Sequence, residues 1–261
     1  MYQHILSEKS GPIATITLNR PEFSNAFAVG SYSEIQDALE CWGNDPEIRV
    51  IIITGQGKHF SAGGDIRSFK ARIDSGEFLK RGNVIMAGAM STAVRTCPKP
   101  VIAMVNGAAA GAGCALALAC DFRVLEPKSR LGLSFINMGL SGDTGALYFL
   151  QRMVGLAKAT EWMALGSMID GNEANRFGLV TRLAEEGSLY ETTLELANEL
   201  AKKPTQAIAR QKELIYEFFC RDLLLFNRRE ADFMYETART ADYKEAVTAF
   251  LEKRRPQFEG C

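Results

Sequence analysis

Two stretches of this chain, Val50-Ile-Ile-Ile-Thr54 and Val101-Ile-Ala-Met-Val105, are unbroken runs of apolar, mostly β-branched residues. A strand with one wet face alternates polar and apolar side chains, so an unbroken run reads as a strand covered on both faces. Residues 13–18 (Ile-Ala-Thr-Ile-Thr-Leu) and 122–125 (Phe-Arg-Val-Leu) read as further strands. Between the first two lies 32–42, with Ile35, Ala38, Leu39 and Trp42 at helical spacing. Strands alternating with helices call for a parallel sheet joined by crossovers.

Beyond about residue 156 the strand signal fades, apart from 179–183 (Leu-Val-Thr-Arg-Leu). Helical patterns follow at 189–202, 205–219, 223–240 and 244–254, punctuated by Pro204 and Pro256. The expected organisation is an α/β core over 1–195 and a helical region over 196–261 that seeks partner subunits.

Thirty Lys and Arg against thirty-one Asp and Glu give a net charge of −1, which leaves no broad basic surface for nucleic acid. No apolar run reaches the roughly 18 residues needed to cross a bilayer. Residues 1–9 carry no basic stretch followed by an apolar block, so a cytoplasmic protein is expected. The six cysteines are scattered and only His4 and His59 are available, a composition that fits reduced thiols and no metal site.

The glycine-rich segments fail the nucleotide and nucleophile fingerprints on spacing. After Gly111-Ala-Gly113 the third glycine of a dinucleotide loop would fall at Leu116. A phosphate loop ending at Gly57-Lys58 would need glycine at position 52 and a hydroxyl residue at 59, where Ile52 and His59 stand. Gly132-Leu-Ser134 runs on to Ile136 rather than to the glycine of a nucleophile elbow.

Two backbone features remain. Phe60-Ser-Ala-Gly-Gly-Asp65 follows the strand at 50–54, and Asn106-Gly-Ala-Ala-Ala-Gly-Ala-Gly-Cys114 follows the strand at 101–105 and leads into a helix at 115–119. Small residues let a backbone approach a ligand, and a helix N-terminus points free amides outward. Two such loops at the ends of adjacent strands either aim two N–H groups at one oxygen, as an oxyanion hole does, or merely allow tight packing of helix on sheet. Spacing alone does not choose between these.

In their order, Leu18-Asn-Arg-Pro21, Phe60 to Asp65, Lys99-Pro-Val-Ile102, Asn106-Gly107, Gly111-Ala-Gly113, Gly139-Leu140, Gly178-Leu-Val180 and the ending Phe250 to Phe258 resemble the enoyl-CoA hydratase/isomerase (crotonase) superfamily across nearly the whole chain. The resemblance implies a spiral of β-β-α units with a helical C-terminal region that builds trimers, often stacked as hexamers. It implies backbone donors at Gly64 and Ala112 for the thioester oxygen of an acyl-CoA. The carrier would run past Ala62, Asp65 and Ile66, with basic residues near Lys253 and Arg254 for its phosphates. Coenzyme A would be the substrate's carrier, or an acyl carrier protein in its place, and no further cofactor is required.

The departures from the family pattern carry the reaction type. Its hydratases hold water with two glutamates, which would fall at Ala115 and Phe135; neither residue can orient or deprotonate water. The remaining acid is Asp143, at the position where several isomerases of the family carry an acid/base aspartate, with Phe135, Met138, Leu140 and Ala115 expected around the pocket. The resemblance therefore implies an enoyl-CoA isomerase. Two alternatives stand beside it: a hydrolase or dehalogenase with Asp143 as nucleophile, and a hydratase with a relocated acid. Aryl dehalogenation is the weaker of these, because the family's tryptophan and histidine positions hold Phe135 and Gly88. Asp143-Thr144 also reads as an N-cap for the apolar helix that follows, which needs no catalysis.

Overall fold

The computed structural model describes residues 1–261. The strands are β1 (Ile5–Ser10), β2 (Ile13–Leu18), β3 (Val50–Gly55), β4 (Val101–Val105), β5 (Ala108–Ala110), β6 (Phe122–Leu125), β7 (Arg130–Gly132), β8 (Met168–Asp170) and β9 (Arg182–Leu183). The helices of the first half are α1 (Val29–Asn44), α2 (Ile66–Asp74), α3 (Arg81–Thr96) and α4 (Ala112–Ala119). They are followed by α5 (Ala146–Val154), α6 (Leu156–Leu165), α7 (Gly171–Arg176) and α8 (Leu189–Ala201). The chain ends in α9 (Thr205–Phe219), α10 (Leu223–Thr237) and α11 (Ala241–Leu251).

Six strands form the main sheet in the order β1-β2-β3-β4-β6-β9, parallel throughout except for the β1–β2 hairpin. All six residues of β3 are buried, and their alternation explains why. Ile51 and Ile53 face the large core shared with α1, α3 and α4, whereas Val50 and Ile52 face a second cluster closed by Leu196, Ala197 and Ala201 of α8. The unbroken apolar run is therefore two half-strands, each serving one face.

A smaller sheet, β5-β7-β8, stands beside the first, and an isolated pairing of Ser61 with Ala109 extends its edge. The chain thus steps three times from a main-sheet strand to the small sheet and on to a helix. These are β3–Ser61–α2, β4–β5–α4 and β6–β7–α5, the spiral of β-β-α units that the resemblance implied.

The segment 179–183 is a strand only over Arg182–Leu183. The Leu179 N–H instead closes α7 onto Ala174 O (2.9 Å), and its carbonyl accepts from Arg123 Nε (2.6 Å). The C-terminal helices lie on the core. Leu223, Ala231 and Met234 of α10 and Tyr243 and Val247 of α11 belong to the large cluster, and Lys212 of α9 reaches Asp121 at 2.5 Å. Helix α8 runs unbroken through positions 195 and 196. No helix is long and apolar enough to cross a membrane.

Candidate active site

Asn106, just past β4, ties the exits of the two central strands together. Its Nδ2 donates to Gly55 O (2.8 Å) and Gly57 O (2.9 Å), while its Oδ1 accepts from Gly55 N (3.1 Å). The loop after β3 is thereby laid against the loop after β4. Ser61 N–H donates to Ala108 O (3.2 Å), and Ala110 N–H donates to Ser61 O (2.8 Å). At Gly63 (φ +84°) the two loops touch: a Cβ there would sit 2.7 Å from Ala110 O and 3.1 Å from Ala112 N. Gly111 (φ +52°, ψ −127°) turns the second loop into α4 through a conformation closed to L side chains, with its own N–H on Gly132 O (2.8 Å).

Two amides are left over. Ala112 opens α4, so its N–H has no carbonyl one turn back, and it donates to nothing else in the protein. Gly64 N–H likewise has no protein acceptor, although neighbouring Gly63 uses both its N–H (to Ser61 Oγ, 3.1 Å) and its carbonyl (from Phe27 N, 2.7 Å). Both Gly64 and Ala112 stand in the wall of one cavity of about 440 Å³.

That cavity is mostly apolar, with Phe135, Met138, Leu140, Leu79, Val84 and Met234 among its walls, and Asp143 opens into it. Asp143 is 8 % exposed. Burial pushes its carboxyl up to about 6, and the Thr144 hydroxyl, donating to Oδ1 at 2.8 Å, works in the opposite direction. The turn that presents it is unusual. Gly142, Thr144 and Gly145 all have positive φ, and Thr144 at +62° is a β-branched residue in the left-handed region. Such strain persists where the surroundings over-determine it, and it gathers at functional sites.

Asp143 does not cap the following helix with its side chain. Helix α5 has Gly145 at its N-cap, and the Gly145 N–H is taken by Glu230 Oε2 of α10 (2.8 Å). Asp143 contributes only its carbonyl, to Ala146 N (3.0 Å). The carboxylate is thereby left to the cavity.

Glu230 is a residue that sequence reasoning missed. It is only partly exposed, and burial pushes its carboxyl up to about 8; the Gly145 N–H opposes that shift and the Asp143 charge adds to it. One signal was available: Glu230 falls on the same stripe of α10 as the buried Asn227, Ala231 and Met234, an acid placed on an inward face. Tyr32, a buried cavity residue from α1, was missed as well.

Among the residues expected from sequence, Gly64, Ala112, Ala62, Ile66, Phe135, Met138, Leu140 and Asp143 all line the one cavity. Ala115 does not. It lies a turn into α4, wholly buried in the core, and the part of that helix facing the cavity is Ala112. Asp65 is also outside the wall: it caps α2 through Arg67 N (3.1 Å) and Ser68 N (3.4 Å) and pairs with Arg20 (2.9 Å). Lys253 sits beyond the end of α11 at φ +57°, away from the wall, and its neighbour Arg254 is engaged by Glu245 and Glu252. Phe250, from the last turn of α11, is the C-terminal side chain that does reach the cavity. Burial pushes the Cys114 thiol up to about 12, which rules out a resting thiolate beside the site. No three His, Cys, Asp or Glu side chains are grouped as metal ligands.

The enoyl-CoA hydratase/isomerase family model matches residues 8–261. The trans-2-decenoyl-acyl-carrier-protein isomerase of Streptococcus mutans is 31% identical over 260 residues, covering 99% of each chain. The 1,2-epoxyphenylacetyl-CoA isomerase of Escherichia coli is 32% identical over 265 residues, with both chains fully covered. In three dimensions, the crystal structure of an enoyl-CoA hydratase from Mycobacterium avium subsp. paratuberculosis superposes with a TM-score of 0.89 at 28% identity, over 99% of both chains.

Proposed function

The chain belongs to the enoyl-CoA hydratase/isomerase family, and we propose that within it the protein is an acyl-thioester isomerase that moves a carbon–carbon double bond by carrying a proton on Asp143. The reading rests on one observation: a single buried carboxylate opens into an apolar cavity whose wall also holds two unpartnered backbone N–H groups. With a 3-enoyl thioester in place, ionised Asp143 takes a proton from C2. The electron pair runs through the thioester carbonyl, and the Gly64 and Ala112 N–H groups carry the charge on its oxygen. The same carboxyl then returns the proton at C4, leaving the conjugated 2-enoyl product. One such donor contributes on the order of a hundred- to thousand-fold in rate. A carboxyl near 6 is ionised at neutral pH yet basic enough to draw a proton from carbon.

The substrate's carrier is coenzyme A in this reading, running past Ala62 and Ile66 in the cavity wall and on toward Asp65 and Lys253; an acyl carrier protein is the alternative carrier. Assembly as a homotrimer, or as a dimer of trimers, accords with the apolar side chains left on α9 and α10, where Phe219 is 71 % and Leu225 70 % exposed.

The test is direct. Purified protein given a 3-enoyl-CoA in deuterium oxide should form the ultraviolet-absorbing 2-enoyl-CoA with no gain of water mass, label entering at C4 only to the extent that the Asp143 carboxyl exchanges its proton with solvent between the two transfers. Asp143→Asn should lose at least about a hundred-fold in turnover. Full activity in that variant would remove Asp143 from the mechanism. A second reading, hydration with a relocated acid, is favoured by Glu230, a second carboxylic acid close enough to feel the charge of Asp143. A product that gains the mass of water and depends on Glu230 would establish it instead.

A further inference from the structure

Tyr32 stands in the first turn of α1 with its ring 5.4 Å from that of Phe27, centroid to centroid. The helix beneath it is fixed: Gln36 Nε2 donates both to Tyr32 O (2.9 Å) and to Met86 O of α3 (3.3 Å). The residue is 9 % exposed and belongs to the cavity wall. Its hydroxyl finds no hydrogen-bond partner in the protein; of the other two buried phenols, Tyr148 donates to Asp222 (2.6 Å), and Tyr243, likewise without a partner, lies outside the cavity wall. Buried phenols ordinarily have such a partner.

From α3, half-buried Asn83 joins the same wall, and its side-chain amide also has no protein partner. Leu79 and Val84 flank it and are apolar. Burial, reinforced by the charge of Asp143, holds the Tyr32 phenol protonated well above its usual range, so its O–H hydrogen is available to donate. A plain alkyl chain laid against it would strip the O–H of water and return nothing.

We propose that the Tyr32 hydroxyl, with the Asn83 amide in the same chamber, receives an oxygen atom carried on the acyl portion of the substrate. The preferred substrates are then acyl thioesters bearing a hydroxyl, keto or ether oxygen beyond the reacting carbons, rather than unsubstituted hydrocarbon chains. This rests on the acyl-thioester reading for what fills the cavity, but not on the reaction performed there.

Calorimetric binding of saturated acyl-CoAs, which cannot isomerise, separates the two. Octanoyl-CoA is compared with its monohydroxy derivatives, substituted in turn at each carbon from γ outward. The wild-type protein should bind at least one hydroxylated isomer about tenfold more tightly than octanoyl-CoA. Tyr32→Phe should erase that preference while leaving octanoyl-CoA affinity unchanged or improved, which also shows that the variant is folded. Asn83→Ala should weaken the same isomer and not the parent.

Equal affinity for every chain in the wild type, or a hydroxyl preference that survives Tyr32→Phe, overturns the proposal. So does a Tyr32→Phe variant whose binding is unaltered but whose turnover shifts in pH dependence, since the phenol would then be serving Asp143. Failure to isomerise, with the binding difference intact, sinks the reaction and leaves this inference standing.

Discussion

Replacing Asp143 by asparagine should make the protein more stable while stopping it working. The carboxyl is raised from 3.8 to about 6 because it is buried in an apolar wall, so the folded state holds the proton more tightly than the unfolded chain does. For an acid shifted upward, no penalty exists well below 3.8, where both states are protonated. The penalty grows as pH rises through the interval and is complete above 6. That rise corresponds to about 3 kcal/mol at pH 8, and the same linkage leaves only about 1 kcal/mol at pH 4.5. Asparagine keeps the shape and an oxygen for the Thr144 hydroxyl but carries no charge, so it escapes the penalty. Removing the charge also relieves Glu230, which adds to the effect with the same sign. Thermal melts of the two proteins at both pH values read this out. At roughly 2–4 °C per kcal/mol for a chain near this size, the variant should melt roughly 6–12 °C higher at pH 8, with the gap shrinking to about a third at pH 4.5. A variant that melts lower at pH 8, or by the same margin at both, would show that Asp143 is not a buried ionised acid.

Three further outcomes follow from the same geometry. Ala112→Pro removes one amide hydrogen at the first position of α4, where proline is well tolerated; turnover should fall on the order of a hundred-fold or more with little loss of melting temperature. Because Asp143 must be ionised to act as a base, kcat/KM should rise with pH through about 6 and level off above it, and a profile flat from pH 5 to 8 would contradict the role. Glu230→Gln keeps an acceptor for Gly145 N–H while removing a carboxyl raised from 4.5 to about 8. It should match wild type in stability at low pH and exceed it above 8, whereas Glu230→Ala, lacking the acceptor, should be the less stable of the two at every pH.

What could be read from the chain beforehand follows from how local each signal is. The β3 and β4 runs were plain because both of their faces are covered, and α1 and α8 to α11 announced themselves by periodicity over three or more turns. The three-residue strands β5, β7 and β8 are too short to show any period, yet they support the loop that carries Ala112. Helix α4 begins at Ala112 rather than at 115 because Gly111 supplies the turn that starts it. Spacing alone left the two glycine loops ambiguous between packing and an oxyanion site; the idle amides at 64 and 112 are a property of hydrogen bonding that becomes visible only in three dimensions. Asp143 was singled out by resemblance. Glu230, 87 positions further on, meets it only because α10 folds back over α3.

Helix α10 looks two ways at once. Its inner stripe brings Glu230 to the turn that holds Asp143 and Met234 to the cavity, while Leu225 stands out in the open on its outer side, with Leu224 and Phe233 exposed on the two flanks. A single helix of 15 residues that is pushed on one flank carries the push to the other. Whatever comes to rest on those outer side chains therefore presses on the turn that holds Asp143.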